Sequence, residues 1–187
     1  MNDLIMKRKR EQDFEENVWL CERTEELIHA IEKSRKGIQV YRDVDLEIEE
    51  LKLEQQGARI GIACFVSRCY PGGDAMRGGN GSEEILCRQS TLYPCLNTEY
   101  LRETYYDVNF DCVEGVAAKY FYIPDVVCTV QDKRRNFLMQ EYGNSFDVIG
   151  CARTEGNVKE DMERMYRIAR QKGIDMLVFI MDERDMT

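Results

Sequence analysis

Between residues 71 and 90 the chain reads PGGDAMRGGNGSEEILCRQS, and this stretch limits the possible folds more than any other. It follows ARIGIACFV (58–66), a continuous apolar run of strand length. Such a run is the pattern of a central strand buried on both faces of a sheet. Gly72, Gly73, Gly78, Gly79 and Gly81 make the loop glycine-dense, and Ser82, Glu83 and Glu84 then open a helical segment. Ser82 is placed to cap that helix, and the two carboxylates fall in its first turn, where the helix dipole favours them. A loop at the C-terminal end of a buried strand is where open α/β sheets bind ligands. Glycines let backbone N–H groups approach a phosphate or sugar, and a helix N-terminus favours anions. An acid beside such a cradle can transfer protons. The segment therefore reads as a nucleotide-diphosphate site with a catalytic carboxylate attached. Taken alone, the Glu83–Glu84 pair reads as helix-start carboxylates, each stabilising by about 0.3–1 kcal/mol; the glycine loop and the helix that follows shift the balance toward a site.

The rest of the chain fits the same class. Residues 12–34 show helical spacing, with Val18, Leu20, Leu27, Ile28 and Ile31 as the expected buried side and Trp19 at its edge. Gly37 ends this long first helix, and IQVY (38–41) reads as a short strand. Residues 45–56 read as a helix or a charged strand. The helix opened by Ser82 is expected to run to about Leu92, with Pro94 beyond its end, and further helical turns follow at 99–106. Residues 120–132 are strand-rich with a proline break, and 144–152 form a buried strand. A helix over 155–172 presents Met162, Met165, Tyr166, Ile168 and Ala169 inward. Gly173 stops it, and DMLVFIM (175–181) is a last buried strand. Strands alternating with helices indicate an α/β protein, with residues 1–35 as a helical extension and 36–187 as one compact unit.

Composition narrows the function classes. The 187 residues are 43 % hydrophobic and 33 % charged, enough for one real core, and with only three prolines disorder is expected at the termini alone. A net charge of −9 argues against a broad grip on a nucleic-acid backbone. The basic run Lys7-Arg8-Lys9-Arg10 reads as a solvated N-terminal arm. No stretch approaches the ~20 apolar residues of a membrane span, and no apolar segment follows the basic run as in a signal peptide. Eight cysteines are scattered without a C-x-x-C pair, which fits reduced, buried thiols and a cytoplasmic protein. His29 is the one histidine, so histidine triads and zinc clusters are nearly excluded, and no metal or cofactor is required by the residues present.

The order PGG, EE, LCR-x-STLYP and YIPDV resembles the bacterial-type poly(ADP-ribose) glycohydrolases of the macrodomain superfamily. That family runs from a PGGG loop to a QEE triplet and then a helix with L-C/A-R-x-S/T-x-LY. Here Pro71, Gly72, Gly73 and Asp74 stand for PGGG, and Ser82, Glu83 and Glu84 for QEE. Leu86, Cys87, Arg88, Ser90, Leu92 and Tyr93 match the helix, and Tyr122, Pro124, Asp125 and Val126 match a Y-x-PDV segment. DVIGCAR (147–153) is similar to a strand that precedes a V-x-T-x-A-P-N turn in the family, and DMLVFIM to its last buried strand. The departures are Asp74 for the third glycine, Ser82 for the glutamine, and MDERDMT where the family has a GAWGCG-like phosphate loop. There Asp182, Glu183 and Asp185 are expected to repel a diphosphate.

The resemblance implies a macrodomain-like three-layer α/β/α fold with a mixed central sheet. It implies hydrolysis of ADP-ribose O-glycosidic linkages, in which Glu84 protonates the leaving oxygen and then activates water, and Glu83 supports by contacting a ribose hydroxyl. Gly72, Gly73, Asp74, Gly78, Gly79 and Ser82 are the expected ligand-binding positions, and ADP-ribose or an ADP-ribosylated protein or nucleotide the expected partner. Two rivals stay open: a module that binds such a nucleotide without turnover, and a degenerate domain serving protein interaction. Arg88, one turn after Glu84, is expected to form an i,i+4 ion pair with it. Tyr70, Phe121 and Tyr122 are read as core aromatics, with base stacking as the alternative.

Overall fold

A computed structural model of the chain describes residues 2–41, 59–110, 120–129, 145–152 and 158–181. The segment 45–56, Cys112, and the acidic positions Asp182, Glu183 and Asp185 lie outside the described residues.

The chain opens with two helices rather than one, α1 (Asn2–Arg23) and α2 (Glu25–Lys36). The break is at Thr24, which is extended (φ −93°, ψ 116°) and is followed by Glu25 and Glu26 in the first turn of α2. It frees α2 to turn onto the sheet, where the Ser34 hydroxyl donates to the carbonyl of Asp125 at 3.0 Å. The buried face also differs from the expected one. Phe14, Asn17, Cys21 and Ile31 are buried, whereas Ile28 and Trp19 are exposed.

Strands β1 (Gln39–Tyr41), β2 (Ile60–Val66), β3 (Tyr120–Val127), β4 (Ser145–Ala152) and β5 (Met176–Ile180) form one sheet in the order β1-β3-β4-β2-β5. β2 lies parallel to β4 and β5, while β3 is antiparallel to both β1 and β4. The sheet is therefore mixed, and β2, flanked on both sides, is the central strand its apolar run predicts. β5 is the edge of the described sheet and is half-buried throughout, which corrects the expectation of a fully buried strand.

After the glycine loop come α3 (Ser82–Gln89), α4 (Leu92–Leu96), α5 (Glu99–Leu101), a π turn (Arg102–Tyr106) and α6 (Asp107–Phe110). α3 stops at Gln89 rather than near Leu92. Pro94 sits inside α4, in its first turn, where a missing N–H costs no intrahelical bond. α7 (Val158–Gln171) precedes β5, and Gly173 after it takes φ 67°.

Strand alternation separates two cores. On one face Cys64, Val66, Phe121, Ile123 and Val148 pack with Phe14, Ile31, Leu86, Leu92 and Tyr106 from the helices of the first half, so α1 and α2 share a core with the sheet. On the other, Ala63, Phe65, Tyr120 and Ile149 meet Met165, Ile168 and Ala169 of α7. Tyr166, expected among those inward residues, is 53 % exposed. The Tyr120 hydroxyl pins α7 by donating to Asp161 at 3.0 Å.

A polar network closes the end of the sheet away from the glycine loop. Asp147 is 2.6 Å from Arg59 and accepts from the Tyr122 hydroxyl and the Asp125 N–H. Asp125 takes φ 54° where β3 shifts register against β4. Tyr122 is therefore committed here, and Phe121 is fully buried against Tyr105.

Gly150 pairs across the ladder with Phe121, and a Cβ there would lie 2.2 Å from the Phe121 ring. Gly150→Ala is expected to destabilise the protein by about 1–3 kcal/mol through overpacking. Chemical denaturation checks this, and adding Phe121→Leu in the same chain should return part of the loss.

Candidate functional site

The segment between β2 and α3 turns on positive-φ glycines: Gly72 at φ 73°, Gly73 at φ 54° and Gly78 at φ 69°. These are conformations L side chains rarely adopt. Space forbids side chains as well. A Cβ on Gly72 would lie 2.9 Å from the Tyr93 ring, and one on Gly73 would lie 2.7 Å from Glu84 Oε1.

The loop is organised around the two glutamates. Glu83 is 3 % exposed, and both its oxygens are occupied. Its Oε2 accepts from the Ser67 N–H at 2.7 Å, and its Oε1 from the Gly72 N–H at 2.9 Å. Burial and the neighbouring Glu84 push its pKa up, the two N–H donors pull it down, and burial wins, raising it to about 8. Around it Tyr105, Tyr106 and Cys87 are all held more strongly protonated, by burial first; the charge of Glu83 comes next for Tyr106 and Cys87, and follows Cys151 for Tyr105.

Glu84 is placed differently. It is half-buried, and its Oε1 accepts from the Asp74 N–H at 3.2 Å. Its Oε2 has no hydrogen-bond partner among the described residues. One carboxylate is thus locked and sealed, and its neighbour is steadied at one oxygen and open at the other.

Asp74, in place of a third glycine, needs no special backbone: it takes φ −93°, open to any residue. Its carbonyl accepts from the N–H of Arg77 and of Gly79, both at 2.9 Å, closing a short 3₁₀ turn (Ala75–Arg77). Its carboxylate is exposed and pairs with Arg77 at 3.4 Å. Gly79 makes room for it, since a Cβ on Gly79 would lie 2.9 Å from the Asp74 Cβ and 3.0 Å from the Glu84 Cγ.

Two expectations are corrected. Ser82 makes no cap; Gly81 occupies the cap position, and the Ser82 hydroxyl donates to the Ile180 carbonyl at 3.2 Å, tying α3 to the end of β5. Arg88 forms no ion pair with Glu84; it turns back to donate to the Gly79 carbonyl and to Asn80 Oδ1 at 3.1 Å. The carbonyls of a glycine-rich turn, unpaired within any element, are a better match for its forked donors.

Other contributors carry no sequence motif. Arg10 Nε donates to the Gly78 carbonyl at 2.7 Å, and a Cβ on Gly78 would lie 2.5 Å from the Lys7 carbonyl. The basic run is therefore helical: the side chains of Lys7, Arg8 and Lys9 are exposed, as expected of a solvated run, while Arg10 is half-buried and docks on the loop. Asn17 Nδ2 donates to the carbonyls of Cys87 and Ser90, capping the end of α3. The signal available was Asn17's place on the face of Phe14 and Cys21. Tyr70 stays exposed beside the loop. Among the described residues no cluster of three His, Cys, Asp or Glu is set to hold a metal.

Residues 5–129 match the family model described as microbial-type PARG, catalytic domain. The chain belongs to this family. Two solved structures of poly(ADP-ribose) glycohydrolase (PARG) from Thermomonospora curvata, one bound to the inhibitor ADP-HPD, share its fold. Identity is 19 % in both, with TM-scores of 0.67 and 0.66, over 91 % of this chain and 78 % of theirs. No curated protein matches the chain. The macrodomain-like α/β fold that the resemblance implies is thus the fold observed. The PARG-family match begins within α1, so the helix that grips the loop lies inside the matched stretch.

The proton affinity of Glu83 gives this PARG-family domain a pH signature. The folded chain binds that proton up to about pH 8, whereas an ordinary glutamate releases it near 4.5. Between those values the folded state carries the extra proton, so this group's contribution makes stability fall as pH rises. Glu83→Gln is expected to flatten that slope while costing about 1–3 kcal/mol overall, because its amide NH₂ opposes a backbone donor. Denaturant midpoints measured from pH 4.5 to 8 test this; parallel curves for the two proteins would refute it.

Proposed function

We propose that this chain hydrolyses the O-glycosidic linkage of ADP-ribose conjugates, with Glu84 as the acid/base. The observation that carries the reading is the asymmetry of the two carboxylates. Glu83, with both oxygens taken and little exposure, serves as a fixed post. Glu84, anchored among the described residues through Oε1 alone, keeps an oxygen for proton transfer. Glu84 delivers its proton to the leaving ribose oxygen as the bond to the anomeric carbon breaks. It then takes a proton from the water that attacks that carbon, which restores the enzyme. Negative charge beside the anomeric carbon favours the oxocarbenium-like transition state.

The positions proposed to meet the ligand are Gly72, Gly73, Asp74, Gly78, Gly79 and Ser82. Asp74 takes an ordinary φ of −93° and turns its carboxylate to Arg77, so the replacement imposes no strained backbone. The family supports a nucleotide substrate of the ADP-ribose class: the Thermomonospora protein carries the poly(ADP-ribose) glycohydrolase name and is described as bound to the inhibitor ADP-HPD. We read the chain as cytoplasmic, supported by the free cysteines among the described residues and by the lack there of any helix long and apolar enough to cross a membrane.

The test is release of ADP-ribose from poly(ADP-ribose), run beside calorimetric binding of free ADP-ribose. Glu84→Gln is expected to lose about 10²–10⁴-fold in kcat while still binding ADP-ribose. Wild-type binding without turnover would favour the non-catalytic module, and neither binding nor turnover would leave the interaction reading.

A further inference from the structure

We infer that Arg88 is a positioning residue for Glu84, acting through the glycine loop. The inference rests on the function proposed above and assigns a part to a side chain that touches neither glutamate by hydrogen bond or ion pair.

The geometry is a closed ring that starts and ends on α3. The Arg88 guanidinium donates to the Gly79 carbonyl and to Asn80 Oδ1. The Gly79 N–H donates to the Asp74 carbonyl at 2.9 Å. The Asp74 N–H donates to Glu84 Oε1 at 3.2 Å. Arg88 and Glu84 are one turn apart on the same rigid helix, so the ring fixes the loop to the very element that carries the acid. Arg88 is 6 % exposed, and a buried guanidinium keeps its place only by using its donors. A second guanidinium grips the adjoining residue from outside, Arg10 of α1 on the Gly78 carbonyl. The turn at 78–80 is thus held from two helices, and nothing else on the loop's outer side is anchored this way among the described residues.

The consequence falls on one oxygen. The Asp74 N–H fixes the Glu84 carboxylate about its last torsion, a broad and easily turned one in a free glutamate. With Oε1 held, Oε2 points in a constant direction. If the fork of Arg88 is lost, the 78–80 turn relaxes, the Asp74 N–H withdraws and the acid rotates freely. Gly72 keeps its separate bond to Glu83, so the start of the loop holds its place and binding weakens less than proton transfer does. A lysine cannot replace Arg88, since an ammonium lacks the planar fork that spans two acceptors.

The experiment measures kcat and KM separately on poly(ADP-ribose), with ADP-ribose affinity by calorimetry and thermal midpoint alongside. It compares wild type with Arg88→Lys, Arg88→Ala and the milder Asn80→Ala, which removes one acceptor from an exposed position. The expected result is a kcat about ten- to a hundredfold lower in both Arg88 variants. KM and ADP-ribose affinity should weaken by no more than about fivefold, clearly less than the loss in kcat, because Gly78, Gly79 and Asp74 loosen while Gly72 keeps its place. Asn80→Ala should fall between, and millimolar guanidinium should partly rescue Arg88→Ala. Full rescue by lysine, or losses in affinity and thermal midpoint that match the loss in kcat, would mean a charge or folding role and overturn the inference. Unchanged kcat in an active wild-type background overturns it alone. A wild-type chain without turnover overturns the proposed function together with it.

Discussion

The buried carboxylate of Glu83 organises the site. A carboxyl group sealed from water loses most of its hydration, and here it recovers hydrogen bonds from the N–H groups of Ser67 and Gly72. Those donors sit at the end of β2 and at the turn that follows it. For both to reach one side chain on α3, the chain leaving the central strand must bend back over the helix start at once. That bend requires φ 73° at Gly72 and φ 54° at Gly73. The adjacent position, Glu84, is thereby left at the rim, where a second loop N–H can steady it. The difference between neighbouring, chemically identical residues arises entirely from which of them faces the returning loop.

The same geometry explains how the loop accommodates an aspartate. A glycine-rich signature suggests that every glycine is needed for its backbone freedom, yet φ at Asp74 is an ordinary −93°. What position 74 demands is room on the other side of the turn, and Gly79 supplies it by having no Cβ to meet that of Asp74. The glycine requirement has moved from one residue to its packing partner. Asp74 then contributes through its backbone, N–H to Glu84 and C=O to Gly79, while its charge is directed outward to Arg77.

What could be read from the sequence was whatever a continuous segment decides for itself. The apolar run of β2, the glycine loop, the acidic helix start of α3 and the alternation of β3, β4, α7 and β5 are patterns within one element, and each lies where the residues place it. The misreadings arise where the choice belongs to a distant neighbour. Ser82 has the chemistry of a cap, but the Ile180 carbonyl at the end of β5 takes its hydroxyl. Arg88 has the spacing of an ion pair with Glu84, but the carbonyls of a turn eight and nine residues earlier take its fork. Tyr166 has the spacing of the inner face of α7, but a helix covering a sheet buries a narrow stripe, here Asp161, Met165, Ile168 and Ala169. Thr24 breaks a helix that periodicity carries straight through, because α2 must change direction to reach β3.

α1 shows why hydrophobicity alone undervalues a helix. Its inward positions fall at Arg10, Phe14, Asn17 and Cys21, spaced by three and four, but only Phe14 and Cys21 are apolar. The polar members carry the function of the face. Arg10 meets a loop carbonyl before the start of α3, Asn17 meets the carbonyls of Cys87 and Ser90 at its end, and Phe14 packs edge-on against Tyr93 beyond that end, with ring centroids 4.8 Å apart. Asn17 also accepts from the Thr129 hydroxyl, which links the same point to the strand segment after β3. A purely apolar face would bury more surface and leave those carbonyls unpaired, at about 1–3 kcal/mol each. α1 therefore serves as a splint along α3, satisfying a carbonyl of the loop before it and the carbonyls at its C-terminal end, and the precision of the site depends on polar contacts that a hydropathy pattern does not register.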